Sequence, residues 1–149
     1  MRIAVGSDHA GFELKEALKQ RLAAQGHQVD DKGAHSAESC DYPDYAAQVA
    51  RAVQAGRAER GVLVCGSGIG MSMCANRFPG VRAVLAPSAE HARLGRLHND
   101  ANLLCLGQRL TPRDQALHIL EVFLATPFEG GRHQRRIQKI DTLCGGPQA

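Results

Sequence analysis

Short β-branched or apolar runs alternate along the chain with longer segments whose apolar residues recur at helical spacing. Predicted strands occupy residues 3–5, 28–30, 61–65, 81–86 and 102–106. The run at 61–65, Gly-Val-Leu-Val-Cys, is continuous and β-branched, as expected of a central parallel strand covered on both faces. The alternation predicts βαβ units and an open, mostly parallel α/β/α sheet.

Six segments have the apolar spacing or the boundary residues of helices. They lie at residues 12–25, after Asp41-Tyr42-Pro43, from near Met71, at 90–97, around 116–123 and at 132–144. In the last of these, Ile137, Ile140 and Cys144 share one side, and Gly145-Gly146-Pro147 is expected to end the helix. Ligands of such a sheet bind at the carboxyl ends of its strands.

Composition narrows the class of protein. The 149 residues are 44% hydrophobic and 22% charged, which suits one globular domain, residues 1–149. A net charge of +3 with 4% aromatic residues and no Trp argues against nucleic acid as a partner. The apolar start is too short for a signal peptide and no later stretch could span a membrane, so we expect a soluble protein without a membrane partner.

The cysteines indicate the compartment. There are five of them and no C-x-x-C pair: Cys40, Cys65, Cys74, Cys105 and Cys144. This odd, unpaired set argues against both a disulfide framework and a structural zinc site. We therefore expect a reducing cytoplasm.

The loop Ser7-Asp8-His9-Ala10-Gly11 directly follows the first predicted strand. Asp8 is a residue type that commonly caps helices, and that role stays open. The alternative is that Asp8 contacts sugar hydroxyls and His9 helps to hold an anion, which is favoured because His is unusual in a cap.

The loop Cys65-Gly66-Ser67-Gly68-Ile69-Gly70 follows the central strand and precedes a helix. Alternating glycines allow backbone N–H groups to point inward, and the helix N-terminus adds partial positive charge, so this loop predicts an anion cradle. A dinucleotide fingerprint would need Gly where Met71 stands, and a Walker loop would need a Gly-Lys pair that is absent.

Cys65 stands at the mouth of this cradle, where N–H dipoles favour a reactive thiolate. A cysteine phosphatase would need Arg at position 71, and the hydrolase elbow would need Gly at 65, so neither nucleophile pattern holds. A small buried apolar residue at a strand end remains the alternative for Cys65, and it is the interpretation adopted for the other four cysteines.

His98-Asn99-Asp100 lies at the end of a predicted helix, just before the strand at 102–106. His98 could simply satisfy carbonyls at the helix C-terminus, or it could be catalytic. We expect this locus to converge with the two strand-end loops.

Basic residues follow the last strand. Arg109 comes first, and Arg132 and Arg136 lie four residues apart after Gly130-Gly131, so on a helix the latter two project from the same side and could bind one phosphate group. A solvated basic face is the alternative.

Several motifs together resemble the ribose-5-phosphate isomerase B family, which includes galactose-6-phosphate and allose-6-phosphate isomerases. They are Gly6-Ser7-Asp8-His9-Ala10-Gly11, Asp41-Tyr42-Pro43, Cys65-Gly66-Ser67-Gly68-Ile69-Gly70, Ala75-Asn76, His98-Asn99-Asp100 and Gly130-Gly131-Arg132-His133. One subgroup has Glu at the position of Met71 and lacks the Cys, so this chain resembles the cysteine type.

The resemblance implies a three-layer Rossmann-like fold, a homodimer or a tetramer with active sites at the subunit boundary, and no cofactor, metal or nucleotide. The C-terminal helix, about 132–144, would contribute to the dimer. Cys65 would be the base, His98 would open the sugar ring, and Asp8 would contact hydroxyls. Four groups would hold the phosphate: His9, Arg109, Arg132 and Arg136.

By the same resemblance, the backbone of Gly66, Ser67, Gly68, Ile69 and Gly70, together with Asn99, would hold the reacting oxygens. The expected substrate is a phosphorylated sugar, with ribose 5-phosphate and ribulose 5-phosphate interconverted through a cis-enediolate in carbohydrate metabolism. A six-carbon sugar phosphate is the alternative, and a non-catalytic sugar-phosphate sensor is an alternative of a different class.

Overall fold

The computed structural model describes residues 1–145, so Gly146 and Pro147 of the expected helix stop lie outside the described residues. The strands are β1 Arg2–Ser7, β2 Gln28–Asp31, β3 Arg60–Cys65, β4 Ala83–Leu85 and β5 Leu103–Gly107. The helices are α1 Phe12–Ala24, α2 Tyr42–Gln54, α3 Ile69–Ala75, α4 Ala89–Asn99, α5 Arg113–Ala125 and α6 Arg132–Leu143. No helix within residues 1–145 has the length and apolar character needed to cross a bilayer.

The five strands form one sheet in the order β2-β1-β3-β5-β4, and every pairing is parallel. The predicted fold class, a three-layer Rossmann-like α/β protein, is confirmed. The strand order reverses direction between β1 and β3, and such a switch point opens a crevice at the carboxyl ends of the two strands. We call this side of the sheet the carboxyl edge and the opposite side the amino edge.

Alternating side chains of the strands build two apolar layers. Val62 and Val64 of β3 pack in the cluster that contains α1, α4 and α5. Leu63 and Cys65 point to the other face, into the cluster that contains α2 and α3. Because side chains alternate along a strand, the Cys65 side chain lies under α2 and α3.

Helix α4 has a well-defined beginning and end. The Ser88 hydroxyl accepts a hydrogen bond from the His91 N–H at its start, and Asp100 at its end adopts a left-handed conformation with φ 45°. The Asp100 carboxylate also pairs with Arg96 at 2.8 Å. These contacts stop the helix at Asn99 and fix the direction in which the chain enters β5.

Helix α6 packs on the fold mainly through its first half. His133 and Ile137 are buried, whereas Ile140 is 46% exposed and Cys144 is exposed. The expected apolar side of this helix therefore extends beyond the surface that its own chain covers. Ile140 and Cys144 line an open groove of about 510 Å³ together with residues of β4 and α4.

Candidate active site

The loop after β1 brings Asp8 next to the end of β3. The Asp8 N–H donates to the Val64 carbonyl at 3.3 Å, and the Asp8 carboxylate accepts a hydrogen bond from the Gly11 N–H at 3.0 Å. A Cβ at Gly11 would lie 2.4 Å from the Val64 oxygen, so only glycine permits this approach. Asp8 therefore caps the short 3₁₀ turn His9–Gly11, whereas α1 itself has Gly11 at its N-cap and no side-chain cap, and the second oxygen of the Asp8 carboxylate can accept a hydrogen bond from a substrate hydroxyl.

His9 is held by a segment far along the chain. Its Nδ1 lies 3.2 Å from both the backbone nitrogen and the backbone oxygen of Cys40. Sequence reasoning missed this contact, because it depends on how the loop before α2 folds back over β1. The contact orients the imidazole ring at the carboxyl edge.

Cys65 is the last residue of β3 and is 5% exposed. Its Sγ accepts a hydrogen bond from the Gly68 N–H at 3.1 Å. Gly68 has φ 78°, and its left-handed conformation folds the loop back toward the sulfur at the start of α3. Helix α3 consequently begins at Ile69 rather than near Met71.

The glycine loop is pressed against β5. A Cβ at Gly68 would lie 2.7 Å from the Leu85 side chain and 3.0 Å from the Leu106 carbonyl carbon. Ser67 Oγ accepts from the Ile69 N–H at 3.3 Å, which is a local turn contact. The loop is therefore a closely packed backbone cradle.

The other cysteines differ from Cys65 in setting. Burial raises the pKa of Cys105 well above its ordinary value, and burial raises the pKa of Cys74 as well. Cys105 is fully buried, in line with its interpretation as a small core residue. For Cys144 that interpretation is wrong, because the residue is exposed at the end of α6.

Two further side chains pack against the glycine loop. A Cβ at Gly66 would lie 2.9 Å from the Arg109 guanidinium, which therefore packs against the first residue of the glycine loop after Cys65. A Cβ at Gly70 would lie 2.5 Å from the Tyr42 ring. Sequence reasoning missed Tyr42 as a site residue, although the motif Asp41-Tyr42-Pro43 was a signal that could have found it.

His98 and Asn99 do not join this group within one chain. They end α4 just before β5, and the Gly61 N–H at the start of β3 bonds to the Asn102 carbonyl at 2.9 Å. That places them at the amino edge, separated from Cys65 by the length of β3, roughly 15 Å at about 3.3 Å per residue. The expectation that His98-Asn99-Asp100 converges with the two strand-end loops is therefore wrong within one chain. Only loops that follow parallel strands share the carboxyl edge, and this locus precedes its strand.

Arg132 and Arg136 lie on the same side of the molecule as His98. The Glu129 N–H, shortly before α6, donates to the Leu97 carbonyl at 3.0 Å. Both arginines are exposed on the first turns of α6. The predicted site residues thus form two groups, one at each edge of the sheet.

At the amino edge, the His98 and His133 rings stack with centroids 4.4 Å apart and an interplanar angle of 17°. The Glu129 carboxylate lies 3.7 Å from His98 Nε2 and 3.6 Å from His133 Nε2. Burial lowers the pKa of His133, and the neighbouring His98 and Arg132 lower it further. His133 is thereby favoured in its neutral form at neutral pH.

A buried ion pair between Lys15 of α1 and Asp31 at the end of β2 stabilises the carboxyl edge. The Lys15 side chain is 1% exposed, and its Nζ donates to the Asp31 carboxylate at 2.9 Å and to the Ala34 carbonyl at 2.6 Å. The carbonyl of the adjacent Gly33 accepts a hydrogen bond from the Ser7 N–H at 2.6 Å. Burial opposes ionisation of Asp31, but hydrogen bonds from Lys15, Lys19 and the Gly33 N–H outweigh it and lower the Asp31 pKa. The pair therefore anchors the segment that abuts Asp8.

The family model described as Ribose/Galactose Isomerase matches residues 3–140. The chain is 44% identical over 142 residues to ribose-5-phosphate isomerase B of Escherichia coli strain K12, with 95% of each protein covered. The structure of ribose-5-phosphate isomerase B from Clostridium thermocellum is similar with a TM-score of 0.95 and 45% identity, covering 96% of this chain and 97% of that one. The structure of a ribose 5-phosphate isomerase from Thermotoga maritima is similar with a TM-score of 0.93 and 51% identity, covering 95% of this chain and 97% of that one.

Proposed function

The chain belongs to the ribose/galactose isomerase family, and from that premise we propose that it interconverts ribose 5-phosphate and ribulose 5-phosphate with Cys65 as the base. The observation that carries the role of Cys65 is its position at the switch point, with the Gly68 N–H bonded to its Sγ at 3.1 Å. The thiolate is the form that accepts a proton, and this N–H offers it a hydrogen bond.

The reaction moves one proton between neighbouring carbons of the open-chain sugar. Cys65 removes the proton from C2 of the aldose, and the electron pair forms a cis-enediolate with its negative charge on O1. The proton then returns to C1, the hydroxyl proton of O2 passes to O1, and the C2 oxygen becomes the carbonyl. Negative charge develops on the sugar oxygens, and preorganised donors aimed at that charge give the largest stabilisation. The N–H groups of Gly66, Ser67 and Gly70 are the donors in this proposal, because those of Gly68 and Ile69 bond to Cys65 Sγ and Ser67 Oγ.

Ring opening must come first, because the phosphorylated pentose is mostly cyclic. We assign it to His98, since imidazole exchanges protons near neutral pH. His98 is at the amino edge of its own chain, so we propose that it comes from a second copy and acts on the substrate bound at the first copy's Cys65. Asn99 would accompany it and bind the reacting oxygens.

A two-fold dimer fits this division of residues. In an isologous interface each contact occurs twice, so joining one copy's carboxyl edge to the other's amino edge completes two sites at once. The glycine loop is flanked by apolar side chains that the single chain leaves open: Ile69 is 45% exposed and Met73 is 67% exposed. The open side of α6, with Ile140 46% exposed, offers apolar surface next to the other half-site.

The phosphate binds at a distance from the reacting carbons in this proposal. His9 and Arg109 would hold it from one copy, and Arg132 and Arg136 from the other. Guanidinium groups suit phosphate because their planar N–H donors match its oxygens. Such binding energy orients the sugar without taking part in bond making.

A six-carbon sugar phosphate is the second candidate substrate, because the matching family model names galactose beside ribose. The experiment is to compare kcat/KM on ribose 5-phosphate, allose 6-phosphate and galactose 6-phosphate, with the unphosphorylated sugars as controls. We expect ribose 5-phosphate to be preferred and free ribose to react far more slowly. A preference for a six-carbon substrate would replace the assignment, and turnover of none of them would overturn isomerase function.

We also place the activity in the cytoplasm. All five cysteines are free thiols, and Cys65 must stay reduced to act as a base. A reducing compartment keeps them so.

A further inference from the structure

Three potential metal ligands meet at the amino edge: His98, Glu129 and His133. We call them the His-Glu-His cluster. Each offers one ligand atom, and these three atoms all lie within 4.8 Å of one another. They come from the end of α4, the segment before α6 and the first turn of α6, so the fold alone assembles the cluster.

The contacts inside the cluster are too long for hydrogen bonds. His98 Nε2 and His133 Nε2 lie 3.7 Å and 3.6 Å from the same Glu129 oxygen, whereas N–H···O bonds span about 2.7–3.2 Å. Among the described residues, His133 Nε2 is buried and has no hydrogen-bond partner. His133 itself is 7% exposed, so its nitrogen faces the cluster without being satisfied by it.

The same distances suit ligands around one small metal ion. Zinc binds imidazole nitrogen and carboxylate oxygen at about 2.0–2.2 Å, so two ligand atoms at a tetrahedral angle lie roughly 3.4 Å apart. Both measured separations are within a few tenths of an ångström of that value. The two imidazoles stack with an interplanar angle of 17°, so binding requires them to tilt until both Nε2 lone pairs point at the ion. Two histidines and one carboxylate are also a known protein ligand set for zinc, with a fourth position left open.

We propose that the His-Glu-His cluster binds a divalent transition-metal ion of the zinc class through His98 Nε2, Glu129 and His133 Nε2. Two neutral imidazoles and one carboxylate give the site a net charge of minus one. Mg²⁺ and Ca²⁺ prefer sites composed of oxygen ligands, so the cluster selects Zn²⁺, Co²⁺ or Ni²⁺ over them.

Neighbouring charges limit the affinity. Arg132 precedes His133, and Arg136 lies one turn further along α6, so both oppose a bound cation. Glu90 on α4 is close enough to His98 to interact with it electrostatically, and its negative charge favours a bound cation. The balance favours reversible binding, in contrast to a permanently occupied structural site.

The consequence for catalysis rests on the proposed function. A metal ion on Nε2 of His98 occupies the nitrogen that would relay the proton in ring opening. The bound metal therefore inhibits isomerisation reversibly. The second copy's Cys65 is a separate metal-binding thiol, and the test must exclude it.

The binding test uses Co²⁺ titration of the full chain in a Cys65→Ala background, followed by visible absorption. We expect the d–d bands of nitrogen and oxygen ligation, without a thiolate charge-transfer band, and loss of the bands when Zn²⁺ is added. Glu129→Gln and His133→Ala should each weaken Co²⁺ binding roughly tenfold or more. His118→Ala, which removes an exposed histidine of α5, is the matched control and should bind normally.

Glu129→Gln alters a side chain that is 52% exposed, so it tests the site even where the buried His133 variant fails to fold. Equal Co²⁺ affinity in Glu129→Gln, or no binding at all, overturns the proposal. In the chain that retains Cys65, Zn²⁺ should inhibit isomerisation, EDTA should reverse it, and Glu129→Gln should need about tenfold more Zn²⁺ relative to its own basal rate.

The two proposals fail in different ways. Zinc inhibition that is unchanged in Glu129→Gln would locate inhibition at Cys65 and overturn the regulatory role. Cobalt binding that depends on the cluster in a protein without isomerase activity would overturn the proposed function and leave the metal site standing.

Discussion

The Gly68 N–H donates a hydrogen bond to Cys65 Sγ across 3.1 Å, within a loop of four residues. The bond exists because Gly68 adopts φ 78° and turns its N–H back toward the end of β3. A sulfur held at a strand end by a backbone donor is a positioned group, unlike Cys105, which is fully buried in the sheet.

Replacing Cys65 by Ala should abolish isomerisation, because the proposed mechanism makes its thiolate the group that removes the C2 proton. Phosphate-ligand affinity should remain nearly unchanged, since the binding groups are separate side chains. Steady-state turnover and isothermal titration with a non-reacting sugar-phosphate analogue measure the two effects. Substantial turnover by Cys65→Ala would refute the base assignment, and Cys144→Ala is the control with an exposed thiol.

Replacing Gly68 by Ala should lower both kcat and the free energy of unfolding. The left-handed backbone costs a residue with Cβ about 1–2 kcal/mol, and the new Cβ would also meet Leu85 at 2.7 Å. Gly26→Ala is the matched control, because Gly26 has φ 82° but nothing within 4 Å of its Cβ position. Urea unfolding should show a loss in both variants, whereas only Gly68→Ala should lose activity; equal kcat values would contradict the role of the loop.

The separation of Cys65 from His98 predicts complementation between inactive variants. Cys65→Ala and His98→Ala homodimers should both be nearly inactive. After subunit exchange in an equal mixture, half of the dimers are mixed and each has one intact site, so roughly a quarter of the wild-type activity should appear. A mixture that stays inactive although exchange is demonstrated would mean that each site uses one chain only.

The fold was predictable from the sequence, because continuous apolar runs such as residues 61–65 are hard to accommodate anywhere except in a buried parallel strand. Boundaries shifted where local geometry decides: β4 is three residues, Ala83–Leu85, and the Arg82 N–H just before it donates to the Asn102 side chain at 2.8 Å. The Asn76 side chain bonds to both the N–H and the carbonyl of Ala83, the first residue of the strand. Such a contact has no periodic signal.

The candidate site was predictable in composition but only partly in arrangement. Cys65 and Asp8 follow strands, so their proximity comes directly from parallel topology. His98 precedes a strand, and that position in the sequence already indicates the amino edge once the strand direction is considered. The meeting of Glu129 with His98 could not be foreseen, because it depends on how α6 returns to the end of α4.

Replacing Arg136 by Ala should mainly raise KM for the phosphorylated sugar, because this residue is proposed to bind phosphate away from the reacting carbons. Loss of one charge-assisted hydrogen bond corresponds to about 1.5–3 kcal/mol, or roughly a tenfold to hundredfold increase. Lys139→Ala removes another exposed cation of α6 and serves as the control. An unchanged KM with a lowered kcat would show that Arg136 acts in the chemical step.

Replacing Asp31 by Asn should destabilise the fold at neutral pH, because it leaves the buried Lys15 cation with only the more exposed Glu16 carboxylate, 3.2 Å away, as counter-charge. Breaking a buried ion pair costs about 3–5 kcal/mol, and this carboxylate is 16% exposed. Asp30→Asn is the matched control, because Asp30 also pairs with a lysine, Lys32, but the Asp30 side chain is 52% exposed. Urea unfolding at neutral pH should separate the two variants clearly.

The pH dependence of unfolding gives an independent check on Asp31. The Asp31 pKa is lowered in the folded protein. Its contribution to the free energy of unfolding is therefore complete above its unfolded pKa of about 3.9, and it is lost as the pH falls through the folded pKa. The Lys19 pKa is raised, chiefly by its hydrogen bond to Asp31, so its contribution holds below about pH 10.4 and is lost at higher pH. Asp31→Asn should therefore flatten the acid limb of the stability profile, and an acid limb as steep as that of the wild type would show that other carboxylates cause it.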